Sequence, residues 1–253
     1  TGVGNYTFHL LEQYLRGVLV DEVHCFSGTH WLTGHAQLEI TAALKAQVGK
    51  SERSIGDIAV GQLRAAIGGI PGSKALYSFV MDKRFERTAN NIANAVYHET
   101  NYILKPYAGA CVTTVHDLSH IRHPQFLPPH VVEWLERYLP LSLDRADRII
   151  TVSDLVRQEL LEHFDLPEKK VSTIYEGVEE RYVPRSESQT RTVLSSFGLA
   201  HKQYVLLVAT LEPRKGIDVL LDAWCLLPES LRRAFPLVMA GSSGWKNSAL
   251  LDR

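Results

Sequence analysis

Cysteine is scarce. Cys25, Cys111 and Cys225 are the three in 253 residues, widely spaced and odd in number. That excludes a disulfide framework and a CxxC metal knuckle, and it predicts a reducing compartment. Long apolar runs are missing too. No stretch reaches the roughly 18 residues a membrane-spanning helix needs, so none is expected. No amino-terminal signal segment is legible. Neither sign of charge is in excess: 27 Lys and Arg stand against 28 Asp and Glu, a net charge of -1. A general nucleic-acid binder carries a basic surplus to meet phosphate, so nucleic acid is not an expected partner. Solenoid-length repeats and low-complexity tracts are also absent.

What is present is alternation. At roughly 100–200 residues per domain, this length fits two domains. "YTFHLLEQYLRGVL" places Phe8, Leu11, Tyr14, Leu15 and Val18 at helical spacing. Val23 to Phe26 reads as a short strand, and residues 34–90 as mostly helical, broken by the turn signal "GGIPGS". "ACVTTVHD" is a β-branched buried strand, and "HPQFLPPH" a proline-broken loop. "VVEWLERYLPLSLDRA" is a helix that Pro140 should kink or break. "DRIITVS" is a strand, with Ser153 or Asp154 capping the helix after it. "KVSTIYEGV" is a strand running into a glycine turn. Residues 184–202 turn polar and read as a linker holding one short helix. Strand "YVLLVAT", helix "GIDVLLDAWCLL" and strand "PLVMAG" follow. Strand-helix-strand alternation on both sides of the linker predicts an α/β fold with parallel sheets. The expected boundaries are 1–183 for the first domain and 203–253 for the start of a second.

Open parallel sheets bind ligands beyond the carboxyl ends of their strands. Four stretches therefore matter. In "TGVGNYT", Gly2 and Gly4 allow either a tight turn or close approach of an anion to the following helix. In "TVHDLSHIRH", His116 and Asp117 end a buried strand. His116 reads as a donor to a sugar hydroxyl or phosphate, or as a structural histidine. His116, His120 and His123 have a metal-like spacing, but Pro124 cuts the segment short, so no metal site is expected. In "EPRKG", Arg214 and Lys215 precede Gly216 and a helix start. Two cations beside a positive helix end repel unless an anion joins them, so a diphosphate or a solvated turn fits. In "MAGSSG", Gly241 allows a ligand close to the backbone.

Taken in order, "TGVGNYT", "TVHDLSHIRHPQF", "ITVSDLVRQEL", "YEGV", "VATLEPRKGIDVLLDAW" and "LVMAG" resemble the retaining GT-B glycosyltransferases of family four. The variants "HDLSHIRHP" and "LEPRKG" look most like bacterial mannosyltransferases that build O-antigen and other polysaccharides. The resemblance implies two Rossmann-like domains facing a cleft, the first holding the acceptor and the second a sugar nucleotide. It implies no metal or other cofactor. Arg214 and Lys215 would neutralise the donor diphosphate as it leaves, an electrostatic contribution. Gly2 and Gly4 would approach the same phosphates or the sugar. His116 matches the family histidine near the reacting carbon. Asp117 and Gly241 join the substrate-binding set. The leaving diphosphate itself helps deprotonate the acceptor, so no protein general base is named. The expected partners are a nucleotide-sugar donor, GDP-mannose, and a saccharide or lipid-linked acceptor in the cytoplasm.

The sequence also departs from the family pattern. The paired-Glu donor motif and the first strand are not in it, so the second domain is expected to be truncated and these 253 residues alone to be inactive. Ala209-Thr210 replace a common Gly-Arg, and Glu176 stands where many members have Asn. Rival readings are a non-catalytic nucleotide-sugar-binding or assembly module and a GT-B sugar-nucleotide epimerase. Residues 45–87 carry more cations than acids among apolar residues, a pattern that fits peripheral contact at the inner face of the plasma membrane or an ordinary solvated helix face.

Overall fold

A four-stranded parallel sheet organises the first half of the computed structural model, which describes residues 2–16, 20–26, 31–32, 73–92, 94–242 and 244. The chain divides into two units. One comprises Thr1–Leu118 with Arg137–Glu176, and the other Ser119–Glu136 with Gly177–Arg253.

In the first unit, β3 (Tyr97–Glu99), β4 (Cys111–Val115), β5 (Arg148–Thr151) and β6 (Val171–Thr173) lie side by side in that order, all parallel. Val115 and Ile149 are wholly buried, and Cys111 and Val171 nearly so. Such β-branched, apolar runs are what a sheet covered on its faces selects. The buried hydroxyls are satisfied: Thr113 Oγ1 and Ser142 Oγ both donate to the Tyr102 carbonyl, at 2.9 and 2.7 Å. The strand readings over 111–115, 148–151 and 171–173 therefore hold.

Helix α1 (Gly2–Arg16) has the expected amphipathic face but starts earlier than the sequence indicates. Gly2 and Gly4 lie inside its first turn, so they do not form a turn ahead of it. Glycine is a poor helix former in a helix interior; in the first turn the N–H groups lack intrahelical acceptors anyway, and the cost is tolerated. Tertiary bonds hold this end: Tyr6 Oη lies 3.1 Å from Thr114 Oγ1, and Thr7 Oγ1 lies 2.8 Å from Thr100 Oγ1. The strand read at Val23 to Phe26 is shorter, β1 (Cys25–Phe26), and pairs antiparallel with β2 (Trp31–Leu32). Helix α2 (Ser73–Ala89) brings Phe85 against Tyr97, with ring centroids 4.8 Å apart. Phe26 and Trp31 complete that aromatic cluster, each 5.3 Å from Phe85. The remainder of the helical reading for 34–90, and most of the 45–87 stretch, lies outside the described residues.

Two proline expectations are corrected. Helix α3 (Ser119–Arg122) precedes the loop "HPQFLPPH", which holds a short 3-10 turn at Pro124–Phe126, and Pro129 opens helix α4 (Pro129–Arg145). A first helical position suits proline because its φ is preset and its missing N–H is not needed. Pro140 does not break α4, which runs unbroken through it. Pro140 is exposed, while Leu139, Ser142 and Leu143 are buried along the opposite stripe. The packed stripe carries the helix across the lost hydrogen bond, and water can serve the freed carbonyl. After β5, Ser153 caps helix α5 (Asp154–His163) by accepting from Val156 N at 3.2 Å, as the sequence indicated.

In the second unit, helix α6 (Glu187–Ser196) lies in the stretch read as a linker. Ser186 and Gln189 close a capping box at its start. Strands β7 (Val205–Val208) and β8 (Leu237–Ala240) pair in parallel. Helix α7 (Ile217–Cys225) follows β7, with Ile217 buried, and α8 (Glu229–Ala234) leads towards β8. Among the described residues no helix is long and apolar enough to cross a membrane.

Candidate functional site

The buried run of β4 ends at Val115, so the next residue, His116, emerges at the carboxyl edge of the sheet. Its Nε2 lies 2.8 Å from the carbonyl of Thr100, which follows β3. A carbonyl only accepts, so Nε2 carries the proton. The other nitrogen, Nδ1, lies 3.6 Å from Glu176 Oε1, beyond β6. The ring is set edge-on to Tyr6 and Tyr102, with centroids 5.0 and 6.0 Å away. Only 11% of the His116 side chain is exposed, against 49% for Glu176. Three strand ends and α1 thus fix one imidazole from several sides.

Tyr102 carries backbone strain at this place. Its φ is +66°, a left-handed conformation that costs a bulky residue about 1–2 kcal/mol. Hydrogen bonds hold it there. Its N–H donates to Thr114 O at 3.0 Å, and its hydroxyl accepts from Asp117 N at 3.1 Å. The second of these ties the backbone of Asp117 to the same tyrosine whose ring faces His116. Beyond β6, Ile174 N extends the ladder to Thr151 O at 2.9 Å. Tyr175 Oη then donates to Asp154 Oδ2 at 2.7 Å. Hydrogen bonds from Thr173 and Tyr175 hold the Asp154 carboxyl below its ordinary range. Glu176 is the next residue after this latch.

Strand alternation separates two buried polar clusters around β3. His98 faces α1: Nε2 lies 2.9 Å from Thr114 Oγ1 and Nδ1 3.2 Å from Tyr14 Oη. Burial lowers its pKa to about 4, so it is neutral. Glu99 accepts from Tyr97 Oη at 2.7 Å and from Asn101 N at 3.1 Å. Burial pushes its carboxyl up, and those hydrogen bonds work against the rise. Burial also raises the Tyr6 and Tyr97 phenols, which stay protonated.

The cation pair belongs to the second unit. Pro213–Lys215 forms a 3-10 turn, and Gly216 follows with φ +61° before α7. Nothing crowds a Cβ there, so the left-handed backbone alone demands glycine. Arg214 Nη2 pairs with Glu212 Oε1 at 2.9 Å, so an anion that joins one of the two cations is already in the chain. Lys215 is exposed. Gly241 has an internal reason to be glycine: an added Cβ would sit 1.7 Å from the carbonyl oxygen of Ala209. At Gly2 an added Cβ meets nothing within 4 Å, so the protein itself makes no steric demand there.

The structure joins His116 and the backbone of Asp117 through Tyr102, and α1 reaches the same place through Tyr6. Arg214, Lys215 and Gly241 stand at the end of β7 and β8. His120 is buried on α3, and His123 packs beside Phe126. Among the described residues no three His, Cys, Asp or Glu side chains are grouped to hold a metal. Sequence reasoning did not single out Tyr6, Thr100, Tyr102 or Glu176 as partners of His116. The signal for Thr100 and Tyr102 was the rule already used for β4, applied to the residues just beyond β3.

The unit is Rossmann-like, and the carboxyl edge where this cluster sits is where open parallel sheets place their ligands. Residues 91–182, which span β3 to β6 with His116 and Glu176, match the family described as Glycosyltransferase Family 4. The chain is 30% identical over 250 residues to O-antigen chain mannosyltransferase B of Escherichia coli, covering 99% of this chain and 63% of that protein. It is 31% identical over 101 residues to the serotype-specific mannosyltransferase WbdA of Escherichia coli, covering 39% of this chain and 12% of that protein. It is also 35% identical over 88 residues to spore coat protein SA of Bacillus subtilis (strain 168), covering 33% of this chain and 23% of that protein. Residues 91–182 thus carry the Glycosyltransferase Family 4 match, and nearly the whole chain is similar to an O-antigen mannosyltransferase. The chain spans less than two thirds of the length of each of these relatives, 63% of the first.

Proposed function

We propose that the protein is a retaining glycosyltransferase that moves mannose from GDP-mannose onto a growing, lipid-linked saccharide in O-antigen synthesis on the cytoplasmic side of the membrane. The observation that carries this reading is His116. It is locked by Thr100 and two tyrosine rings at the strand edge inside the family-matched segment. The names of the Escherichia coli relatives support mannose as the sugar.

In this reading His116 orients the donor sugar at the reacting carbon, and Asp117 with the first turn of α1 at Gly2 and Gly4 lines its path. Arg214 and Lys215 take the charge that develops on the departing diphosphate, with Gly241 beside them. Charge stabilisation aimed at a leaving group is worth about 10²–10³ in rate per donor removed. The diphosphate oxygen accepts the acceptor's proton, and neither metal nor protein base is needed. Residues 1–183 serve the acceptor side and 203–253 the donor side, joined by 184–202.

The test is Lys215→Ala in the full-length polypeptide, assayed with radiolabelled GDP-mannose, a mannose-terminated acceptor and EDTA. Turnover should fall about 100-fold or more, while the melting temperature stays put because Lys215 is exposed. Full turnover by the variant would remove Lys215 from the catalytic set, absence of turnover by the parent would favour a non-catalytic module, and loss of turnover in EDTA by the parent would overturn metal independence.

A further inference from the structure

The contact between His116 and Glu176 is incomplete as it stands. Nε2 of His116 spends its proton on the Thr100 carbonyl, so in the neutral ring Nδ1 is an acceptor. The oxygen facing it, Glu176 Oε1, is an acceptor as well, and at 3.6 Å the two are too far apart for a hydrogen bond. In that neutral tautomer they cannot satisfy each other. The arrangement is nonetheless built. The strand ladder at Ile174 and the Tyr175–Asp154 bond hold the segment carrying Glu176, and the two tyrosine rings hold the imidazole. Glu176 is half exposed, so the pair opens to solvent on one side.

A ligand that completes this pair must bring two O–H donors at a similar spacing. Neighbouring hydroxyls of a hexose ring do so, standing roughly 3 Å apart and each donating along its own direction. We infer that Glu176 and His116 Nδ1 form a two-point receptor for adjacent hydroxyls of a hexose, which makes Glu176 a specificity-determining residue. This rests on the glycosyl-transfer reading above and adds a carboxylate that the reading did not use. A hydrogen bond to a carboxylate is worth enough to separate a hydroxyl-bearing sugar from its deoxy analogue by roughly 10–100-fold.

The experiment compares the full-length polypeptide with Glu176→Ala and Glu176→Gln. The probes are GDP-mannose and its monodeoxy-mannose analogues as donors, and monodeoxy methyl mannosides as acceptors. The parent should discriminate roughly 10–100-fold in kcat/KM against one or two deoxy sugars; Glu176→Ala should lose that discrimination, and Glu176→Gln, whose amide oxygen accepts without a charge, should keep only part of it. Loss in the donor arm places the receptor at the donor sugar, and loss in the acceptor arm places it at the acceptor. Melting temperatures should match, because Glu176 packs in no core. Titration with GDP-mannose and with GDP, followed by the ring ¹⁵N signals of His116, gives a readout that needs no turnover. The sugar-dependent shift should be present in the parent and clearly smaller in Glu176→Ala, where one of the two contacts is gone. Parent-like discrimination and a parent-like shift in both variants would overturn the receptor while leaving glycosyl transfer intact. A parent that neither binds nor turns over GDP-mannose would overturn both.

Discussion

Lowering the pH should weaken the first unit through one residue, His98. Its ring is partly buried between the sheet and α1, hydrogen-bonded to Thr114 and Tyr14. Burial lowers its pKa from 6.5 to about 4. A histidine in the unfolded chain therefore takes up a proton well before the folded one does. The stability that neutral His98 contributes is complete above pH 6.5 and is lost as pH falls from there towards 4. At one pH unit above the folded value the loss is about 2 kcal/mol, with a ceiling of about 3 kcal/mol in stronger acid. Glu99 works in the opposite sense. Its raised carboxyl takes up a proton in the fold earlier than in the unfolded chain, so it favours the fold as pH falls. The parent slope mixes both, and a variant separates them. His98→Gln keeps an amide able to meet Thr114 and Tyr14 but does not titrate. Urea unfolding followed by circular dichroism at about pH 7.5 and about pH 5 should show the parent losing about 2 kcal/mol more than the variant. Equal losses in the two proteins would refute the reasoning and place the acid sensitivity elsewhere.

Two glycines should part company. Gly241→Ala drives a Cβ into the Ala209 carbonyl, so thermal unfolding should show a loss of at least about 2 kcal/mol. Gly2→Ala meets open space in a helical turn and should leave stability unchanged or about 0.5 kcal/mol higher. If a donor phosphate approaches that turn, the same change should weaken GDP binding by calorimetry, and unaltered affinity would remove Gly2 from the site. Cosedimentation with anionic vesicles tests the basic stretch at 45–87. Attachment by surface charge must fall as salt rises, and vesicle binding that ignores salt would exclude it.

Local chemistry was legible wherever neighbours in sequence decide the outcome. The β-branched run of β4, the Ser153 cap and the helix within 184–202 all follow from residues within a few positions of each other. The break allowed for at Pro140 does not occur, because the rule against proline is local, whereas the buried stripe of Leu139 and Leu143 belongs to the packed helix. At Gly241 the sequence does not reveal that the Ala209 carbonyl fills the space a Cβ would take, an internal reason for glycine that stands beside the ligand reading.

The strands β4 to β8, the emergence of His116 from a buried strand and the balanced charge were legible in composition and spacing alone. What surrounds His116 was not. Tyr6 lies 108 residues from Thr114, the hydroxyl that anchors it, and Glu176 reaches the imidazole from beyond another strand. Parallel strands place their carboxyl ends together whatever their separation along the chain, so only the assembled sheet decides which side chains share an edge.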